Sequence, residues 1–492
     1  MGASVALIAC SLLAAGALLL RGPRARAWAT LLALLTAPML LAWSVWDVPA
    51  FVDLRDRPLL LAVVVAAGAL AVLFGAGVFR RHPDWLAPAA ALALPFRVPI
   101  SVEGSVSNLL VPLYLVIAAG ALAYALPRLA GDEEEYEQER QPHILEWLLA
   151  GVLVLYAVQS IGSLDVEKAV ENAVFFYIPF ALLFAQLVRL DWSEDLAGRV
   201  LAVLACLAVA FAAIGFVEYQ TKHLLLNPKV IASNQIEPYF RVNSLFFDPN
   251  IYGRFLVVVM LGLTTVLLWA KRSRTLVLTG GLLVVLWAGL VLTLSQSSFA
   301  ALLAGLAVLG ALRYSVRWAV GGVSTAIVVG ALLVALLPGH LGVSFDSEDG
   351  ANSATSGRYD LVAGGVRLAG DAPIVGHGSG SFSRAYLRAE KGSSERAVSA
   401  SHTTPVTIAA EQGVIGLLLY LAVVGVALLT LLRRSAHVPL RAALGAAFVA
   451  ILVHSLSYAA FFEDPLTWVL LAGGLAAALA PQAEPSGEPE PV

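Results

Sequence analysis

The sequence predicts an all-α integral membrane protein: a polytopic helical bundle of about 12–15 transmembrane helices, with a large extracytoplasmic loop that carries short helices. Three observations predict it. Of 492 residues, 59% are hydrophobic. Only 13% are charged, against about a quarter in an ordinary soluble domain. The mean hydropathy is +0.82. A soluble globule cannot hide so much apolar surface behind so little polar sequence. A net charge of −3 gives no reason to expect a nucleic-acid partner. Cys10 and Cys206 lie within apolar runs and form neither a disulfide framework nor a metal set.

Fifteen stretches are long and apolar enough to be candidate spans. They are Ala3–Leu20, Ala27–Trp46, Pro58–Val78, Trp85–Ile100, Asn108–Leu126, Ile144–Ile161, Ala169–Leu190, Val200–Tyr219, Ile251–Ala270, Thr275–Leu294, Phe299–Leu312, Trp318–Leu337, Thr404–Leu432, Arg441–Phe461 and Leu466–Ala480. The fourth, interrupted by Pro88, Pro95, Arg97 and Pro99, and the eleventh are weak and open to a re-entrant path. The first has no basic residue before its apolar run and reads as a span rather than a signal sequence.

Basic residues gather after every second span: Arg21, Arg24, Arg26; Arg80, Arg81; Arg128, Arg140; Arg189, Arg199; Lys271, Arg272, Arg274; Arg313, Arg317; Arg433, Arg434, Arg441. By the positive-inside rule these loops are cytoplasmic, which puts the amino terminus outside and the tail inside. Expected segments are 1–220 (N-terminal helices), 221–250 (outer loop), 251–337 (central helices), 338–403 (large outer loop), 404–480 (C-terminal helices) and 481–492 (disordered tail). The acidic run Asp132–Glu139 reads as a solvated spacer.

The outer loops hold the chemistry-bearing residues. A short amphipathic helix is expected over Gly357–Leu368, capped by Ser356, ended before Pro373, and lying on the outer membrane face. Ionisable groups inside or beside spans are costly and mark function by default. Here they are Glu218, Arg241, Asp248, Arg254, Arg358, His402, Glu411 and His454, all assigned to the outer side. Arginine forks match phosphate oxygens, and histidine is a general base near neutral pH. Two arginines and a histidine therefore suit a lipid diphosphate held while a hydroxyl is deprotonated. A metal is not required; Asp346-Ser347-Glu348-Asp349 keeps that alternative open. His377, in Gly376-His377-Gly378-Ser379-Gly380, reads as a loop residue; without a strand–helix–strand setting these glycines are no dinucleotide fingerprint.

Four segments resemble the O-antigen ligase/O-antigen polymerase superfamily of membrane glycosyltransferases. The first is Arg241-Val242-Asn243-Ser244-Leu245, continuing to Pro249-Asn250 and a span. The second is Thr293-Leu294-Ser295-Gln296-Ser297, with Gln296 where the family often has Arg. The third is Arg358 followed by Asp371-Ala372-Pro373-Ile374-Val375-Gly376 and the alternating glycines to Phe382. The fourth is His402-Thr403, nine residues, then Gly413-Val414-Ile415-Gly416, with Thr403 in place of the usual amide or serine. The resemblance implies an undecaprenyl-diphosphate-linked glycan donor, a glycan or lipid-glycan acceptor, no cofactor and inverting, metal-independent transfer. It implies His402 as base and Arg241 and Arg358 on the diphosphate. Asp248 and Asn250 would shape the loop, with Asn250 capping the ninth span. Arg254 and Glu411 would line the site. A lipid transporter or flippase, or a non-catalytic scaffold, remains the alternative. A fluorescent protein that folds only in cytoplasm, inserted in loop 433–441, is expected to fluoresce, and one inserted in 338–357 to stay dark. The opposite pattern reverses the orientation.

Overall fold

The computed structural model describes residues 2–44, 46, 52, 55–102, 105–131, 140–226, 230–231, 234, 239–336, 358–390 and 400–480. The acidic run 132–139, Ser356, the Asp346–Asp349 cluster and the tail 481–492 lie outside them. Among the described residues, eleven helices are long and apolar enough to cross a membrane, and two shorter apolar ones accompany them. The chain is a multi-pass helical membrane protein.

The N-terminal half comprises α1 (Gly2–Leu19), α2 (Pro23–Ser44), α3 (Pro58–Arg81), α4 (Leu86–Ala93), α5 (Val111–Ala130), α6 (Ile144–Gln159), α7 (Val166–Asn172), α8 (Ile178–Leu187) and α9 (Glu194–Thr221). Then follow α10 (Pro249–Trp269), α11 (Ser273–Thr293), α12 (Gln296–Arg313), α13 (Val316–Leu336), α14 (Arg358–Asp371), α15 (Phe382–Glu390), α16 (Thr404–Leu432), α17 (Pro439–Ser455) and α18 (Pro465–Leu479). A π-helical turn, Ala173–Tyr177, joins α7 to α8, so the seventh span is continuous over Val166–Leu187. Lipid tails are as apolar as leucine, so these helices associate by close packing rather than by escape from water. Small residues supply it: Ala14 and Ala17 of α1 and Ala442, Ala446 and Ala450 of α17 are buried. At the opposite extreme α3 is a lipid-facing edge, with Leu59 and Phe74 more than three-quarters exposed.

Two expectations are corrected. The fourth span is not a continuous helix over Trp85–Ile100. A 3₁₀ turn (Pro83–Trp85) leads into the eight-residue α4, and the chain then enters an antiparallel hairpin of β1 (Val98–Val102) and β2 (Ser105–Leu109). Pro95 and Pro99 lack the amide proton a helix needs, and the chain opens between them. At its other end α4 is tied to α9 by Arg199–Asp84 (2.6 Å). Second, the helix predicted over Gly357–Leu368 runs three residues further, from Arg358 to Asp371, and part of its apolar face turns to protein while Val366 stays exposed. Leu361 and Leu368 pack with Phe382, Tyr386 and Ala410 in a small core of their own.

Helix α16 is broken inside. Gly413 has φ 64° and ψ −162°, a region open only to glycine, and a β-carbon there would meet the Ile374 carbonyl oxygen at 2.3 Å. The break lets loop 372–381 dock backbone to backbone. The amides of His377 and Gly378 donate to the carbonyls of Ala410 (3.0 Å) and Glu411 (2.8 Å), and Val414 N–H donates to Pro373 (2.8 Å). Gly413→Ala is expected to cost about 1–3 kcal/mol or more and to lower the thermal midpoint of purified protein followed by size exclusion. An unchanged midpoint contradicts this docking.

Candidate functional site

The polar residues singled out in the sequence gather where α9, α11 and α17 end and α10, α12, α16 and α18 begin. The basic loops lie at the opposite ends of these helices. The first motif forms a buried loop. Phe246 sinks among Phe211, Tyr252 and Phe255, with ring centroids 5.3–5.4 Å from Phe211, Tyr252 and Phe255. Ser244 takes left-handed backbone (φ 51°). Its amide donates to Glu218 Oε2 (2.8 Å) and its hydroxyl to the Phe211 carbonyl (2.9 Å). Glu218 also accepts from Leu225 N–H (3.3 Å), so this carboxylate fastens the loop.

Asp248, not Asn250, caps α10: its side chain accepts from Asn250 N–H at 2.6 Å, and Pro249 fills the first helical position. The cap is two residues earlier than expected because a proline, with no amide proton to satisfy, suits the first turn itself. The Asn250 side chain is thereby available for another role. Its Oδ1 accepts from Ser295 Oγ (2.8 Å) and from Arg241 Nη2 (3.4 Å). Arg241 Nε donates to the Thr293 carbonyl (3.0 Å).

The second motif supplies the next links. Leu294 turns the chain in left-handed backbone (φ 49°), and Ser295 caps α12. Ser295 Oγ lies 3.2 Å from Ser297 Oγ and 2.8 Å from Ser298 Oγ. Ser297 Oγ is 3.2 Å from Nε2 of His454, a fully buried residue of α17. The His454 ring faces Tyr458 at 5.8 Å, and the Arg254 guanidinium lies 5.7 Å from the same tyrosine ring. Arg254 Nη2 pairs with Asp464 Oδ2 at 2.8 Å, both side chains almost wholly buried. Asp464 also caps α18 through Leu466 N–H (2.9 Å) and lies within Coulombic range of Arg97. A polar seam thus runs from Arg241 to Asp464 across four helices. Sequence reasoning placed Arg254 and His454 there and missed Asp464; the signal was an Asp-Pro pair opening an apolar run.

The third and fourth motifs form a separate wall. Glu411 Oε2 accepts from Gly380 N–H (2.9 Å) and Oε1 from Phe382 N–H (3.0 Å), so this carboxylate holds the start of α15. Ser379 Oγ donates to the Tyr156 carbonyl (2.8 Å), and Ser381 Oγ accepts from Leu164 N–H (3.0 Å). The alternating glycines are therefore a packing device between α16 and the α6–α7 corner. His377, as expected, is a loop residue; its Nε2 lies 3.1 Å from the Leu368 carbonyl. Arg358 opens α14, and its side chain lies outside the described residues. Gly365, two turns on, packs against Val406 and Ser401, which brings α14 alongside the segment that carries His402. His402 is half-buried, in left-handed backbone (φ 65°), directly before Thr403, the N-cap of α16. Ser401 Oγ fixes the turn, donating to the Thr403 carbonyl (2.9 Å) and lying 2.9 Å from Thr407 Oγ1. Among the described residues no group of three or more His, Cys, Asp or Glu side chains is placed to hold a metal.

Residues 281–421 match the protein family Wzy_C, O-antigen ligase, which supports membership of the O-antigen ligase superfamily. The matched stretch runs from within α11 to within α16 and includes the second, third and fourth motifs. No curated protein matches the chain. Asp464→Ala strands a buried guanidinium and is expected to cost about 3–5 kcal/mol, read as loss of folded protein in detergent. The paired change Arg254→Met with Asp464→Leu removes both charges and is expected to restore most of it. Equal damage from the single and paired changes contradicts the ion pair's place in the seam.

Proposed function

We propose that the chain is a glycosyltransferase of the bacterial cytoplasmic membrane. It moves a glycan from an undecaprenyl-diphosphate donor to an acceptor hydroxyl on the extracytoplasmic face, as a ligase or polymerase of surface polysaccharide. The observation that carries this reading is that the O-antigen ligase match spans both Arg358 and His402, whose elements pack against each other. In this reading His402 takes the proton of the acceptor hydroxyl. The oxygen attacks the anomeric carbon, the bond to the lipid diphosphate breaks, and the diphosphate leaves from the opposite face with inversion. Arg241 and Arg358 hold the diphosphate and meet its growing charge in place of a metal. Arg241 suits the task because Thr293 and Asn250 already fix its fork. Asp248, Asn250, Arg254 and Glu411 act by holding these elements in place. His454 is a poorer base than His402: it is fully buried against Ser297, whereas His402 is half-exposed.

One observation favours a second reading. The broken fourth span is a feature of transporters, which bind substrate at interrupted helices. A flippase moves the lipid-linked glycan without changing it, so covalent product separates the two readings. In vesicles supplied with the lipid-linked glycan, His402→Ala is expected to leave donor binding intact. Product formation is expected to fall by about two to four orders of magnitude, with donor accumulating. Arg358→Ala is expected to weaken donor binding. Undiminished transfer by His402→Ala removes the catalytic assignment. A single repeat unit accumulating on the lipid in a deletion strain indicates a polymerase; a finished polymer left there indicates a ligase.

A further inference from the structure

At the end of the bundle opposite the polar seam, where the basic loops gather, a cavity of about 460 Å³ opens between the ends of α16 and α18 and the starts of α6 and α17. Its polar wall is His143, Thr430, Arg433, Arg434 and Arg441, and its apolar wall includes Val426, Leu429, Leu475 and Ala478. Three arginines and a histidine thus meet in one hollow, and among the described residues that line it none is acidic. The carboxylate next along the chain, Glu146, is held by Arg140 (2.6 Å) and by the His143 amide (2.7 Å), and it lines a neighbouring hollow instead.

Topology alone does not demand this arrangement. A charge that holds a loop in the cytoplasm needs only water or head groups around it. Arg441 is instead 6% exposed. Its Nη2 donates to the Thr430 and Arg433 carbonyls at the end of α16, and its buried Nε has no partner among the described residues. The charge it faces is that of Arg434, a like one. Arg434 turns the chain in left-handed backbone (φ 58°), a helix-ending turn that glycine or asparagine takes more easily. An arginine there keeps its charge on the cavity wall at a conformational cost. His143 accepts from Leu145 N–H at Nδ1 (3.2 Å), so the neutral ring carries its proton on Nε2 and is a donor as well. The hollow also opens on lipid. Ile144, Leu429 and Leu479 line it and are exposed, and Trp147 is exposed beside them in the first turn of α6. Exposed tryptophan marks the head-group layer.

We propose that this cavity binds the phosphate head of an anionic phospholipid, drawn from the leaflet at the basic ends of the helices. That is the cytoplasmic leaflet in the orientation the loops give. A phosphodiester matches the arginine forks and brings its own acyl chains to the exposed Leu429 and Ile144. Free phosphate shares the charge and lacks the chains. The rival occupant within the chain is the tail that follows α18, whose Glu484, Glu488 and Glu490 supply charge without a match for the apolar wall. Bound there, the lipid clasps α6, α16, α17 and α18 at the ends remote from the polar seam. The proposal does not depend on the transferase reading.

The delipidated full chain in detergent tests this, with phosphatidylglycerol, phosphatidylcholine and inorganic phosphate added separately and the rise in thermal midpoint as the readout. Phosphatidylglycerol is expected to raise the midpoint, and the other two to leave it unchanged at the same concentration. An equal rise with phosphatidylcholine overturns the assignment, and so does an equal rise with inorganic phosphate, which makes the site one for a soluble anion. Arg434→Gln, which breaks no side-chain hydrogen bond to a described residue, is expected to weaken phosphatidylglycerol roughly tenfold, the loss of one charge-assisted bond. Ala478→Phe fills the cavity from a half-buried position and leaves every arginine in place. It is expected to abolish the response, which a merely topogenic set of charges would not lose. An unaltered response in both variants overturns the proposal. Replacing Glu484, Glu488 and Glu490 by Gln is expected to change nothing. A response that appears only in that variant means that the tail fills the cavity, and overturns the proposal too.

Discussion

A polar group surrounded by hydrocarbon must find its partner within the protein, and at one end of this bundle that requirement shapes everything else. The Ser295 hydroxyl shows it most plainly. It sits at the α11–α12 turn and joins Asn250 of α10 to Ser297 and Ser298 of α12. Asn250 in turn holds Arg241, and Ser297 meets His454 of α17. No member is satisfied alone, so helices distant in sequence are bound to one register. Glu411 does the same on the other wall, where both carboxylate oxygens hold amides of a segment about thirty residues earlier. Such networks add more geometric definition than stability, because the unfolded chain in a membrane also finds partners.

That division explains what was legible in the sequence. The spans were legible because hydropathy depends on composition alone, and lipid leaves the backbone little choice but helix. The charges at the far end were legible for the same reason: each is an exception in an apolar run. Their partners were not. Glu218 and Glu411 stood out as costly groups beside spans, yet both meet backbone amides, which have no sequence signature. Asp464 escaped notice because it resembles any helix cap. The alternating glycines after Pro373 were visible as a pattern, but their purpose required the break at Gly413, which a run of apolar residues conceals. The fourth span shows the limit of reading by composition: its three prolines warned of interruption without saying where the chain would go.

The two walls differ in construction, and the difference suits their proposed tasks. Arg241 belongs to a seam fixed by side-chain hydrogen bonds on several helices, a setting for a group that must hold a leaving diphosphate in one place. His402 stands on a two-sided turn, between Ser401 and the start of α16, in left-handed backbone that histidine tolerates better than most residues. The turn orients its backbone while the side chain remains half-exposed, as an acceptor's base must be.

Gln296 gives the arginines at the seam a further meaning. The resemblance leads one to expect a cation at this position, next to Ser295. Here the residue is an exposed amide at the first turn of α12. A diphosphate that loses one arginine from its surroundings needs compensation within a few ångströms, because charge in a low-dielectric site is not neutralised from a distance. On the proposed reading that task falls to Arg241, whose fork Thr293 and Asn250 already hold, and to Arg358. Selection for the glycan would then reside in the loops around Arg358 and His402.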